Sequence, residues 1–138
     1  MDYRQTLFTP RGFLVSGGVV LLLLGIVGFL NIFTSQTFYL TATENIAHVG
    51  LGVVALTAVF VHRLNDALSA HYRSIVILVG AIALFFGVYG FLLPSGSPPG
   101  RLNTFGLANL EMGDNLLHLV VAAWAFLAAF RKPQPLRS

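Results

Sequence analysis

The sequence predicts an all-α integral membrane protein, a four-helix bundle built from two helical hairpin repeats that enter the bilayer in the same direction. Three observations carry this. Hydrophobic residues make up 56% of the chain and charged residues only 9%, far from the balance of a soluble domain. Four apolar runs are each close to the length that crosses a hydrocarbon core about 30 Å thick. A polar motif and a set of spaced glycines both occur twice.

The formal net charge is +3, but the basic residues stand at the ends of apolar runs and form no patch with interleaved aromatics. That distribution fits membrane orientation and argues against a nucleic-acid partner. The chain has no cysteine, which excludes thiol chemistry and thiolate metal sites. It also lacks a glycine-rich phosphate loop, a Ser-His-Asp order and a zinc-protease motif.

After a polar lead carrying Arg4 and Arg11, the first run extends over 13–33. It is too long for the apolar segment of a signal peptide, and no small-x-small cleavage site follows. The loop from Thr34 to Thr43 has no Lys or Arg and ends in threonines suited to an N-cap; Phe38 and Tyr39 fit an interfacial aromatic belt. The second span covers about 44–61 and closes at the polar link His62-Arg63-Leu64-Asn65-Asp66. The third covers 74–93 and stops at Pro94, since proline cannot supply the amide that a continuing helix needs. Segment 94–113 is compatible with an irregular loop or a short interfacial helix. The fourth span, about 114–130, ends at Arg131-Lys132-Pro133.

Gly18, Gly25 and Gly28 recur as Gly80, Gly87 and Gly90 at an offset of 62, and Glu44-Asn45-Ile46-Ala47-His48 recurs as Asp114-Asn115-Leu116-Leu117-His118 at an offset of 70. The repeat halves are about 13–62 and 74–131. With two spans per unit, the copies are parallel repeats about an axis along the membrane normal. Both acid-Asn-x-x-His faces must then lie at one membrane surface. A cytoplasmic N-terminus puts Arg4, Arg11, Arg63, Arg73, Arg131, Lys132 and Arg137 inside and only Arg101 outside, a strong positive-inside signal. The expected location is the bacterial inner (plasma) membrane with both termini cytoplasmic and the motifs facing outward.

On a helix the acid, Asn and His of each copy share one face. One turn on come Gly52 and Ala122, small enough for another backbone or a flat ligand to lie against the helix. The repeated glycines read as a device for close helix packing. Two readings of the polar face follow. In the first, Glu44 and Asp114 stabilise helix N-termini, while Asn45, His48, Asn115 and His118 hydrogen-bond between repeats as a clamp. In the second, His48 and His118 ligate a haem, a chlorophyll-like pigment or, with the carboxylates, a divalent metal. A proton, quinone or small-solute site is a further possibility.

Among the remaining candidates, His62 and His71 read as solvated residues flanking the polar link, and Glu111 as a solvated acid. Trp124 falls mid-span, so its indole N–H needs a partner inside the bundle.

Asn45, His48 and Gly52 early in the second span, with Asp114, Asn115 and His118 early in the fourth, give the chain a resemblance to small bacterial membrane proteins of the domain of unknown function 4383 family. The likeness covers most of 13–130, with Ala122 where that family tends to have glycine. It implies the four-span layout and no activity, substrate or cofactor. The expected role is non-enzymatic: a structural or accessory subunit, in contact with lipid and with other subunits or a second copy of itself.

Overall fold

The computed structural model describes residues 7–30, 32, 34, 35, 38–93, 104, 105 and 109–131, and it is a bundle of four long helices, each apolar and long enough to cross a membrane. Helix α1 is Pro10–Phe29. It starts before the apolar run because Thr9 caps it, its hydroxyl accepting from the Gly12 amide at 3.1 Å, and Pro10 supplies a preset φ at the first helical position. Local capping therefore overrides hydropathy, and α1 also ends earlier than the expected 13–33, with Leu30 as its C-cap.

Two short strands follow, β1 (Thr34–Ser35) and β2 (Phe38–Tyr39), paired antiparallel with Thr34 opposite Tyr39. Helix α2 is Ala42–Phe60, started by Thr41. It stops where Val61 turns extended. The next segment corrects the sequence reading: His62–Leu68 is a short helix, α3, and a 3-10 turn over Ser69–His71 leads into α4, Tyr72–Leu92. The Tyr72 hydroxyl stabilises this corner, within 2.8 Å of the Ala58 carbonyl and 2.9 Å of the Asn65 side-chain oxygen. His62 and Asp66 face each other at 3.5 Å on its exposed side, and His71 is exposed as expected. Most of 94–113 lies outside the described residues, including Arg101. Phe105 is described; it takes a left-handed backbone (φ 52°) and stacks on Tyr89 with centroids 5.5 Å apart. Helix α5 is Met112–Phe130.

Each hairpin, α1 with α2 and α4 with α5, packs chiefly within itself, and α1 also touches both helices of the second hairpin. The repeated glycines set these contacts. Gly18 faces Ala55 and Leu56, and Gly80 faces Ala125 and Phe126, at matching positions. Gly25 faces the backbone of Asn45 and the side chain of Val49; Gly87 faces the backbone of Asn115 and the side chain of Leu119. Lipid tails are as apolar as the helices, so such close packing, more than water exclusion, holds helices together in a membrane.

The hairpins join at both ends. At the end bearing Arg11, Arg73 and Arg131, the buried core brings Phe13, Leu14, Val59, Tyr72, Val76, Ala125, Ala128 and Ala129 together, with Val76 wholly enclosed. Ala125, Ala128 and Ala129 of α5 are part of this core, together with the larger Val76 and Phe13. Trp124 packs edge-to-face on Phe13 at 4.7 Å, and its indole N–H donates to the Leu7 carbonyl at 3.0 Å. It therefore serves packing and ties down the chain before α1. The opposite end carries the polar motifs.

Candidate functional site

Glu44 stands at the third position of α2 and closes a capping box with Thr41. Its Oε2 accepts from the Thr41 amide and hydroxyl, both at 2.7 Å, while the Thr41 hydroxyl accepts from the Glu44 amide at 3.3 Å. Its other oxygen, Oε1, accepts from the backbone N–H of Asn109 at 3.0 Å, in the segment leading into α5. One carboxylate thus satisfies its own helix end and fastens it to the second hairpin. A charge-assisted bond of this kind is worth about 1.5–3 kcal/mol.

The second repeat builds the box differently. Its cap is Glu111 and its third residue is Asp114, which accepts from the Glu111 amide at 3.3 Å. Two carboxylates therefore stand where the first repeat has a hydroxyl and a carboxylate. Glu111 in turn accepts from the side-chain amide of Asn109 at 2.9 Å and from the backbone N–H of Tyr39, at the end of β2. The exchange is reciprocal: an acid of each repeat accepts from the backbone that leads into the other's motif helix. Glu111 is a correction to the sequence reading, since it is half-buried and bonded where solvation was expected. Burial of its carboxyl, reinforced by the nearby Glu44 charge, holds its pKa above the ordinary value, against the opposing pull of Asn109 and Tyr39.

Asn45 and Asn115 lie in the hairpins they belong to. Each is almost fully buried, and the side-chain amide of Asn45 lies against Gly28 while that of Asn115 lies against Gly90, so close that a Cβ on either glycine would overlap it. Neither Oδ1 has a hydrogen-bond partner among the described residues, and both lie against the glycine, where a weak Cα–H···O contact is the interaction the geometry offers. The expectation that these asparagines bond across the repeats is thus corrected: carboxylates make the crossing, and asparagines fill glycine hollows. Below them, Gly52 meets the backbone of Gly18 and Leu22. A neighbouring helix occupies the space that could have admitted a flat ligand, and the matching Ala122 is fully buried as well.

The histidines come next along the helices. His118 donates from Nδ1 to the Asp114 carbonyl at 2.7 Å, which leaves Nε2 as the lone-pair nitrogen of the neutral ring. Its ring tilts against Phe86 at 5.8 Å. His48 has its Nδ1 buried without a hydrogen-bond partner among the described residues. The structure thus brings all six motif residues to one end of the bundle. Among the described residues, no group of three or more His, Cys, Asp and Glu side chains is arranged to hold a metal.

No family model, curated protein or solved structure matches this chain. The site is therefore read from its own geometry. Sequence reasoning missed Asn109 and the Tyr39 amide. Thr41 was within reach, because Thr-x-x-Glu before an apolar run is a capping-box signature.

Proposed function

We propose that this protein is a small structural or accessory subunit of a larger membrane assembly, placed in the bacterial inner (plasma) membrane with both termini cytoplasmic. The observation that carries the reading is where the repeated polar face spends its hydrogen bonds. Glu44, Glu111 and Asp114 bond within the protein's own caps and between its repeats, Asn45 and Asn115 fill glycine hollows, and His118 bonds its own helix. A face whose carboxylates, asparagines and His118 are engaged within the fold leaves interaction with other subunits to the apolar flanks. Large hydrophobic residues are exposed on every span, among them Leu23, Val54, Leu78, Phe85 and Val120, and these suit lipid or partner helices. The orientation draws support from Arg11, Arg63, Arg73 and Arg131 lying at the end away from the three carboxylates. Membership of the domain of unknown function 4383 family is part of the same proposal and rests on Asn45, His48, Gly52, Asp114, Asn115 and His118.

The competing reading, a haem, chlorophyll-like pigment or metal carrier, keeps one observation in its favour: the Nδ1 of His48 is buried without a hydrogen-bond partner among the described residues, in the helix turn that matches His118 of the other repeat. The accessory reading is tested by extracting the protein from its native membrane in mild detergent and weighing the particle. The expected result is a particle several times the 14.9 kDa of one chain after subtraction of detergent, with other subunits in fixed ratio. A monodisperse single chain carrying a coloured or metal group bound through His48 and His118 would overturn it.

A further inference from the structure

At the end opposite the polar motifs, an apolar groove runs between Phe8, just before α1, and the last turns of α5. Ala123, Phe126, Leu127 and Phe130 line it and Arg131 closes it. Its walls are almost wholly hydrocarbon, and Phe126 and Phe130 stack along it at 6.3 Å. The charges at its mouth set it apart from an ordinary gap between helices. The Arg131 guanidinium lies over the Phe8 ring at 5.6 Å, and the Arg73 guanidinium lies over the Phe130 ring at 5.4 Å. Both distances are within the about 6 Å range of cation–π contact. Two of the rings that wall the groove therefore each hold a cation beside it.

We propose that this groove binds one acyl chain of an anionic phospholipid from the surrounding bilayer, with the lipid phosphate held by Arg131 and Arg73. Inside a membrane an open apolar groove is filled by lipid tails, so its occupant is hydrocarbon. Charge complementarity then selects the headgroup, because a guanidinium pairs with phosphate through parallel hydrogen bonds and basic pockets at a membrane surface favour anionic lipids. Arg131 caps the C-terminal end of α5 and Arg73 opens α4, so the rigid ends of two spans fix both cations. The site would tether the protein to a particular lipid whether or not it assembles with other subunits.

The test is retention of lipid by the full-length protein, extracted in detergent and equilibrated with phosphatidylglycerol or phosphatidylcholine of identical chains, read by mass spectrometry of the intact complex. The parent is expected to retain phosphatidylglycerol in preference by on the order of tenfold, as two cations near an anionic headgroup imply. Arg73→Gln and Arg131→Gln should each reduce that preference and together remove it, with retention of phosphatidylcholine, whose phosphate is offset by its choline cation, falling less than that of phosphatidylglycerol. Ala123→Phe, at an exposed position lining the groove, should lower retention of both lipids by filling the space. Equal retention of the two lipids by the parent, a preference that survives the double arginine variant, or retention indifferent to Ala123→Phe would each overturn the proposal. So would a dimer in which a second copy seals the groove.

Discussion

Asn45 rests its side-chain amide on Gly28, across the interface of the first hairpin. The same pairing recurs between Asn115 and Gly90 in the second, so the two repeats in the sequence, one of glycines and one of polar residues, are halves of a single contact. The glycine makes the hollow and the asparagine fills it.

Gly28→Ala and Gly90→Ala should each lower stability, by about 1–3 kcal/mol as is usual for overpacking a tight contact. Gly17 and Gly50 have open space where a Cβ would go, and alanine there should leave stability unchanged or raise it by up to about 1 kcal/mol. Thermal unfolding in detergent separates the two classes. Pairing Gly28→Ala with Asn45→Ala should restore part of the loss, and a fully additive double variant would refute the pairing.

Glu44→Ala removes both the α2 cap and the tie to Asn109. A loss of about 2.5–4 kcal/mol is expected, from a cap of about 1 and a charge-assisted bond of about 1.5–3 kcal/mol. Thr41→Ala removes only the cap hydroxyl and should cost about 1 kcal/mol. Amide exchange at Asn109, followed in both variants, should accelerate strongly in Glu44→Ala and little in Thr41→Ala.

Glu111 gives the protein a pH dependence whose sign follows from its environment. Its folded pKa stands above the ordinary 4.5 because burial and the Glu44 charge penalise the ionised form. The folded state therefore holds this proton more tightly than the unfolded chain does. The resulting stability is fully present below about pH 4.5 and is lost as the pH rises through the raised value. Glu111→Gln keeps an acceptor for Tyr39 and cannot ionise. Its melting temperature, plotted against pH, should fall less over that window than the parent's; parallel curves would contradict the assignment.

Trp124→Phe preserves most of the packing on Phe13 and deletes the hydrogen bond to the Leu7 carbonyl. The expected loss is about 1 kcal/mol, with faster proteolysis ahead of α1 as the local readout. Cleavage at the parental rate would show that the indole does not anchor this segment.

The four spans, their pairing and the shared end of the polar motifs were legible in the sequence, because hydropathy and a twofold repeat constrain them directly. Helix ends were less so: Thr9-Pro10 moves the start of α1 ahead of its apolar run. The polar link read at His62–Asp66 folds as α3, where Leu64 and Leu68 at helical spacing were a faint signal. The asparagine–glycine pairs could not be read, since Asn45 follows Gly28 by 17 residues and Asn115 follows Gly90 by 25, so the two sequence repeats run at different offsets and only helix pairing brings their members together. Asn109 and the Tyr39 amide were invisible for a related reason. Their ties between the repeats are made by backbone N–H groups, which every residue but proline carries.

The claim at the centre of this account is that the repeated acid-Asn-x-x-His face is committed to the protein's own fold. An absorption spectrum with metal analysis, on protein from its native membrane beside the His48→Ala and His118→Ala variants, tests it most directly. The account predicts spectra of polypeptide alone and no stoichiometric metal in all three samples, with both variants melting at lower temperature than the parent. A Soret or pigment band, or a stoichiometric metal, present in the parent and lost in the variants would contradict it and make the motif a ligand site.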